Sequence, residues 1–319
     1  MKTLITPALD EFLQLAKQGN VIPVFAEFVG DCETPISAFK KFSHCPYSFL
    51  FESTEKNDVS GRFSFVGFDP RLVIESYGRE IRIVRNGIEE RFSTTTDPLD
   101  EVRKLMARYR FVARPELPRF AGGAVGFLGY EAIRFFEPKV PSARGDDLRL
   151  PEMLFMLTGN VLIFDHRLRS LKIVVNAFLD GGWPEKAYTR AVESVKSIMQ
   201  QLAEPVDLPL VPIAVNEKEA PQRSNFRRDE FERAVEQVKE YIRAGDVFQV
   251  VFRNDSNRRS RESRSIFTAA FALSILRRTC FASSSATILR LLAARRRCTS
   301  VSLAARSRSG RLRGHALAV

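Results

Sequence analysis

The chain has 319 residues, of which 45% are apolar, 10% aromatic and 27% charged, with 17 Gly, 16 Pro and 4 Cys. This composition excludes collagen-like, disulfide-stapled and fully disordered proteins. The sequence holds no run of about 18 apolar residues, and its first residues include acids without an apolar signal core. We therefore expect a cytoplasmic protein without a membrane span, built as one large domain or two smaller ones.

The formal net charge of +11 is concentrated at one end of the chain. Residues 1–252 carry 34 Lys and Arg against 36 Asp and Glu, and they hold all 16 Pro. Residues 253–319 carry 15 Arg and 12 Ser but only two acids, with neither Lys nor Pro. So abrupt a change of composition indicates that the last 67 residues have a different origin from the rest.

Helix signals recur along the first 252 residues. A polar capping side chain precedes proline at Thr6-Pro7, Thr34-Pro35 and Asp97-Pro98, which predicts three helix starts. Apolar residues at helical spacing predict two further helices, over residues 184–202 and 226–244.

Strand signals lie between these helices. The predicted strands cover residues 21–28, 48–53, 62–68, 72–77, 80–85, 88–92, 122–130, 153–165, 171–177 and 246–251. Asn86-Gly87 predicts a tight hairpin, because both residue types tolerate positive φ. Consecutive strands joined by turns favour an α+β fold with mainly antiparallel sheets and flanking helices. We expect residues 253–319 to follow it as a largely disordered, Arg-rich tail.

Several residues that often carry chemistry lack a functional pattern here. Residues 122–130 (GGAVGFLGY) lack the Lys-Ser/Thr of a phosphate loop, so close strand packing is the better interpretation. The three histidines (His44, His166 and His315) are isolated in sequence, which favours turn or surface positions. The four cysteines (Cys32, Cys45, Cys280 and Cys298) follow no metal-binding spacing, so we expect reduced thiols without metal.

One polar pair is a candidate binding site. Glu52 and Ser53 end the apolar run of residues 49–51, so a rigid strand would present a carboxylate and a hydroxyl together. Such a pair could hold an amino-acid ligand, although strand ends are commonly polar without any function. Composition and spacing identify no reaction.

Several motifs occur together in the order of a known family. Residues 22–24, 34–39, 48–53, 61–67, 122–130 and 231–251 resemble the large synthase subunit, component I, of anthranilate synthase. The resemblance implies an enzyme of tryptophan biosynthesis, in which ammonia from a glutaminase partner adds to chorismate with Mg²⁺ and pyruvate is then eliminated.

The resemblance also implies roles for individual residues. Glu52 and Ser53 match a pair that helps to hold feedback tryptophan in the family. Gln249 lies where water-using relatives carry a Lys base, and a neutral amide there fits an enzyme whose nucleophile is ammonia. The family's Mg²⁺ ligands and chorismate-binding residues have no counterpart in this chain.

The resemblance ends at about Val251, where a shifted reading frame would explain the change. Codons for residues 265–287 can be chosen so that the frame two bases later gives the family's next segment, including the Pro-Tyr-Met of its tryptophan pocket. The same shift over residues 297–314 gives a further family segment. The sequence thus predicts a regulatory domain over 1–222, the first helix and strand of the chorismate-binding domain over 223–252, and an aberrant tail over 253–319, in a catalytically inactive chain.

Other hypotheses remain open at this stage. Component I of aminodeoxychorismate synthase, a folate enzyme, shares much of the same body. The 15 Arg of the tail would also give weak, salt-sensitive binding to nucleic acid without sequence preference. A transit peptide has a similar composition but would stand at the other end of the chain.

Overall fold

We analysed a computed structural model of the chain. It describes residues 5–52, 61–140, 150–207, 223–224, 227–251, 256–257, 280–284, 292–294 and 300–301. Two compact units are present, Met1–Val211 with Ser263–Arg295, and Pro212–Glu262 with Arg296–Val319. No helix in the described ranges combines the length and apolarity of a membrane span.

Two antiparallel sheets form the first unit. The strands are β1 (Val21–Val29), β2 (Ser48–Glu52), β3 (Phe63–Phe68), β4 (Leu72–Tyr77), β5 (Glu80–Arg85), β6 (Ile88–Ser93), β7 (Ala124–Leu128), β8 (Met153–Leu157), β9 (Asn160–Asp165) and β10 (Ser170–Phe178). Sheet 1 has the order β1-β10-β9-β3-β2, continued by β14 (Cys280–Ser284) and β15 (Leu292–Ala294). Sheet 2 has the order β6-β5-β4-β8-β7.

Helices cover the outer faces of both sheets. They are α1 (Leu9–Leu15), α2 (Pro35–Phe42), α3 (Pro98–Met106), the short α4 (Ile133–Phe136) and α5 (Pro184–Ala203). One apolar cluster joins α1, α2 and α5 to sheet 1, and another joins α3 to sheet 2. A third cluster contains residues of β2, β4, β7 and β8, so it packs the two sheets face to face. The predicted α+β fold is confirmed.

The second unit contributes short elements. They are β11 (Arg223–Ser224), α6 (Arg228–Ala244), β12 (Val250–Val251), β13 (Ser256–Asn257) and β16 (Ser300–Val301). β11 pairs with β13, and β12 pairs with β16. The predicted helix ends at Ala244, where Gly245 takes the left-handed φ of 85° that a residue with a Cβ rarely adopts.

Local sequence signals account for most element boundaries. The Thr34 hydroxyl accepts a 3.1 Å hydrogen bond from the Ser37 amide at the start of α2, and the Asp97 carboxylate accepts one from the Leu99 amide at the start of α3. The predicted hairpin lies between β5 and β6, with φ of 51° at Asn86 and 77° at Gly87. These predictions are confirmed.

The capping role predicted for Thr6 is wrong. Its main chain instead exchanges hydrogen bonds with Phe25 of β1, and α1 begins later, at Leu9, with Ala8 before it. The bridge to β1 keeps Thr6 extended, so its side chain does not reach the first turn of the helix.

The predicted tail is described only in part. Residues 256–257, 280–284, 292–294 and 300–301 are strands, which the sequence analysis did not expect. The longest of them, β14, pairs with all five residues of β2. The expectation of a largely disordered tail falls mainly on the remaining tail residues, which lie outside the described ranges.

Candidate functional site

The candidate carboxylate, Glu52, is the last residue of β2. The strand begins with Ser48, Phe49 and Leu50, which are buried, and Glu52 itself is half-buried. β2 is held on both sides, by β3 and by β14, and Glu52 lies opposite Cys280 in the ladder. A strand with two neighbours is a rigid support for its last side chain. Ser53, the second member of the predicted pair, lies outside the described residues.

Strand alternation places Glu52 on the helix-facing side of sheet 1. Side chains two positions apart share a face, and Leu50 packs in the apolar cluster with α2. The register pairs Phe51 with Phe65, so Glu52 is next to Ser64 across the two strands. The buried Ser64 hydroxyl lies 2.8 Å from Nε2 of His166. Glu52, Ser64 and His166 thus follow one another along the end of the sheet.

Burial raises the pKa of the Glu52 carboxyl. Removal from water disfavours the charged form, so a cationic group placed beside it would regain part of that lost solvation energy. An ammonium group is such a cation. The position is therefore suited to the amino group of a small ligand.

An ion pair between Arg62 and Asp165 fixes the same end of the sheet. Arg62 donates hydrogen bonds of 3.1 and 2.6 Å to the two carboxylate oxygens of Asp165, the residue before His166. Burial by itself raises the pKa of Asp165, but the hydrogen bonds from Arg62 and from the amides of Leu168 and Arg167 together lower it. The Asp165 carboxylate also holds the turn that carries His166, because it accepts from both of those amides.

The remaining candidate residues of the sequence analysis are Gln249, the histidines and the cysteines. Gln249 is exposed and lies directly before β12, and the contacts that would test its role are not described. His44 and His166 lie in turns as expected, whereas His315 is outside the described residues. Cys32 and Cys45 are free thiols. In the described ranges, no group of three or more His, Cys, Asp or Glu side chains could hold a metal ion.

The glycine-rich segment packs closely, as predicted. A Cβ at Gly126 of β7 would lie 1.8 Å from the carbonyl oxygen of Leu154 on β8. At Gly122 a Cβ would lie 2.8 Å from the Asn176 amide group. These glycines allow the approach of neighbouring groups, so the segment is structural.

The sequence analysis missed the row formed by Ser64 and His166, because its members are about a hundred positions apart. It also missed a pocket of about 660 Å³ between β1, β10, α2 and α5. In its wall the Lys41 ammonium donates hydrogen bonds of 2.6 Å to Glu33 Oε2 and to the Leu202 carbonyl oxygen. A lysine next to the end of a distant helix gives no signal in the sequence.

Comparison with a solved structure defines the class of fold. The model matches the crystal structure of anthranilate synthase component I from Streptococcus pneumoniae TIGR4 with a TM-score of 0.52 at 23% identity, over 77% of this chain and 52% of that one. The fold is thus that of a component I protein.

Sequence comparison then identifies the family. The family model for chorismate binding enzymes matches residues 46–285, and the chain belongs to that family. It is 38% identical over 250 residues to anthranilate synthase component 1 of Acetivibrio thermocellus and 39% identical over 262 residues to that of Synechocystis sp.. These matches cover 77% and 78% of this chain but 50% of each relative. The chain therefore spans about half the length of the relatives it matches.

Proposed function

We propose that the chain is the tryptophan-binding half of an anthranilate synthase component I. In the family's reaction, chorismate and ammonia give anthranilate and pyruvate, the first step committed to tryptophan. The observation that carries the proposal is the identity of 38% and 39% to two component 1 proteins over about 250 residues. This extent is close to that of the charge-balanced segment, residues 1–252.

The Glu52 carboxylate would accept a hydrogen bond from the α-ammonium group of tryptophan. Burial raises the pKa of its carboxyl, so pairing with a cation stabilises the ionised form more than it would for an exposed carboxylate. Ser53 would add a hydroxyl to the same site, and Ser64 is placed beside Glu52 across the ladder. The row along the end of sheet 1 gives the ligand several polar partners.

Catalysis would belong to the half of the relatives that this chain does not span. The family match ends at residue 285, and residues 253–319 carry 15 Arg against two acids, so we infer that the chain forms no anthranilate by itself. Chorismate binding, the Mg²⁺ site and the contacts of the glutaminase subunit are assigned to that other half. The described residues offer no ligand set for Mg²⁺, so no chemical step is assigned to them. We place the protein in the cytoplasm.

Titration calorimetry with L-tryptophan tests the binding site. We expect the wild-type chain to bind and Glu52→Gln to bind at least tenfold more weakly, because a charge-assisted hydrogen bond contributes about 1.5 to 3 kcal/mol. Glu90→Gln, an exposed glutamate on β6, is the matched control and should bind like wild type. Equal affinity in all three proteins would remove Glu52 from the site.

A second experiment tests the reaction. The purified chain should give no anthranilate fluorescence with chorismate, Mg²⁺ and ammonia, whereas the gene with its frame restored after codon 251 should give it. Formation of aminodeoxychorismate by the restored protein would assign the chain to the folate enzyme instead. Anthranilate formation by the chain alone would show that the tail replaces the catalytic half.

A further inference from the structure

The pocket of about 660 Å³ lies on the helix-covered face of sheet 1, and we call it the α2/α5 pocket. The strands β1 and β10 contribute Phe28, Leu171 and Ile173 to its lining, and α5 contributes Met199 and Leu202. All five side chains belong to the apolar cluster that joins the helices to the sheet. Pockets that hold small organic ligands have volumes of this size and mainly apolar walls.

An ion pair with little exposure to water lies in the wall of this pocket. The side chains of Glu33, which precedes α2, and Lys41, which lies in α2, are 13% and 10% exposed. The Lys41 ammonium donates one 2.6 Å hydrogen bond to Glu33 Oε2 and another to the carbonyl oxygen of Leu202 in the last turn of α5. Carbonyl oxygens there have no partner within the helix, so the bond satisfies one of them. Lys41 is thereby fixed between the two helices.

The other carboxylate oxygen of Glu33 is left over. Oε1 is buried and accepts no hydrogen bond from any residue in the described part of the chain. A buried acceptor without a donor is unfavourable, because it has given up its hydrogen bonds to water. Since Glu33 lines the pocket, a donor group on a bound ligand would supply the missing hydrogen bond.

The charges of the lining define the polar group of that ligand. The pair of Glu33 and Lys41 is neutral as a whole, so it requires no charge on the ligand. Glu204, an exposed residue of the lining, adds a negative charge that disfavours an anion. A cation at Glu33 Oε1 would stand close to the Lys41 ammonium, which is 2.6 Å from the other oxygen of the same carboxylate. A neutral N–H or O–H group is therefore the best fit.

We propose that the α2/α5 pocket binds a neutral, mainly apolar aromatic molecule whose N–H or O–H group donates a hydrogen bond to Glu33 Oε1. Phe28 and Met199 offer a ring and a thioether, and both groups pack well against an aromatic ligand. The site is distinct from that of Glu52, because β9 and β3 lie between β10 and β2 and separate those strands by about 14 Å. The inference is independent of the proposed function.

Fluorescence titration of the purified chain with N-phenyl-1-naphthylamine tests this site. The probe is neutral and apolar, carries a single N–H donor, and becomes more fluorescent in apolar surroundings. Its N-methyl derivative has the same rings without the donor. We expect saturable binding of the N–H probe to wild type and a dissociation constant at least tenfold weaker for the N-methyl probe, because hydrogen bonds to a carboxylate are among the stronger ones.

Substitution of Glu33 tests the acceptor. The Glu33→Gln side chain has the same shape and can still accept from Lys41 through its amide oxygen, but it presents an NH₂ group where Oε1 stood. We expect the two probes to bind this variant equally. Glu193→Gln, at an exposed glutamate on α5, is the matched control and should keep the preference for the N–H probe. Met199→Trp, which fills the pocket, should abolish saturable binding of both probes.

Each outcome supports or overturns the proposal. A preference for the N–H probe that Glu33→Gln removes and Glu193→Gln keeps supports it. Lack of saturable binding by wild type, equal affinity of wild type for the two probes, a preference that survives Glu33→Gln, or binding that survives Met199→Trp overturns it. Displacement of the probe by L-tryptophan also overturns it, because the pocket would then belong to the site of Glu52. If circular dichroism shows that Glu33→Gln does not fold, the two probes on wild type and on Met199→Trp decide the question.

Discussion

The hydroxyl of Tyr47 donates a 3.2 Å hydrogen bond to the carboxylate of Glu75, which is fully buried. Tyr47 stands directly before β2 with a φ of 61°, and Glu75 lies in β4, so the bond joins the two sheets. Arg82 of β5 completes the group with hydrogen bonds of 2.8 Å to Glu75 and 3.3 Å to Tyr47. The start of the strand that carries Glu52 is therefore tied to a buried charge in sheet 2.

Loss of Arg82 should destabilise the fold strongly. Arg82→Met leaves the Glu75 carboxylate buried without its cation, which costs about 3 kcal/mol of unfolding free energy. Tyr47→Phe removes the hydroxyl and its two hydrogen bonds, to Glu75 and from Arg82, and costs about 1 to 2 kcal/mol. Urea denaturation measures both changes. Arg91→Met, at an arginine with 69% side-chain exposure, should change the unfolding free energy by less than about 0.5 kcal/mol. An Arg82→Met effect no larger than that of Arg91→Met would contradict the assignment.

Gly126→Ala should lower the unfolding free energy substantially. The new methyl group would lie 1.8 Å from the Leu154 carbonyl oxygen, so β7 and β8 must separate. We expect a loss of at least about 2 kcal/mol of unfolding free energy. Gly182→Ala is the matched control, since nothing lies within 4 Å of a Cβ there. Equal thermal unfolding midpoints for the two variants would refute the close approach.

Features of the fold that depend on neighbouring residues were predictable from the sequence, and those that depend on long-range pairing were not. Thr34, Asp97 and the Asn86-Gly87 turn act within a few residues, so local signals were sufficient for two helix starts and a hairpin. The helix cap predicted at Thr6 was wrong because a long-range bridge to Phe25 outweighs the local capping preference of Thr6. The pairing of β2 with β14 could not be predicted, since a ladder is made by the backbone and residues 280–284 (CFASS) have little strand character.

Only part of the candidate site was predictable from the sequence. Glu52 was found because it ends an apolar run and because its motif resembles a family. Ser64 and His166 join it only through strand register, which a single sequence does not reveal. The buried Glu75 was not singled out, and its partners Tyr47 and Arg82 are set by the packing of two sheets.

The Asp165 carboxylate should stabilise the fold at neutral pH and lose this effect in acid. Its pKa is lowered in the folded state, so its contribution is fully present above the unfolded value of about 3.9 and is lost as pH falls through the folded pKa. We therefore expect the difference in unfolding free energy between wild type and Asp165→Asn to be largest at pH 7 and to shrink toward pH 3. Urea titrations at pH 7, 5 and 3 measure it. The variant Asp207→Asn, at an exposed aspartate after α5, serves as control, and a difference for Asp165→Asn that grows on acidification would disprove the Arg62 pairing.

Glu52 should show the opposite dependence on pH. Burial raises its pKa, so the fold loses stability as pH rises from the unfolded value of about 4.3 to the folded pKa, and the loss is constant above that. Glu52→Gln removes this cost, and its unfolding free energy relative to wild type should increase from pH 4 upward and level off above the raised pKa.

Tryptophan should bind more tightly over the same pH range, because its ammonium group pairs with the ionised carboxylate. Calorimetric titrations of wild type between pH 4 and 8 should therefore show affinity that increases with pH and then levels off, while Glu52→Gln shows weak binding with little pH dependence. Wild-type affinity that is constant from pH 4 to pH 8 would mean that the ligand's amino group pairs with a different residue. The stability measurement would still stand in that case, since it depends on the burial of Glu52 alone.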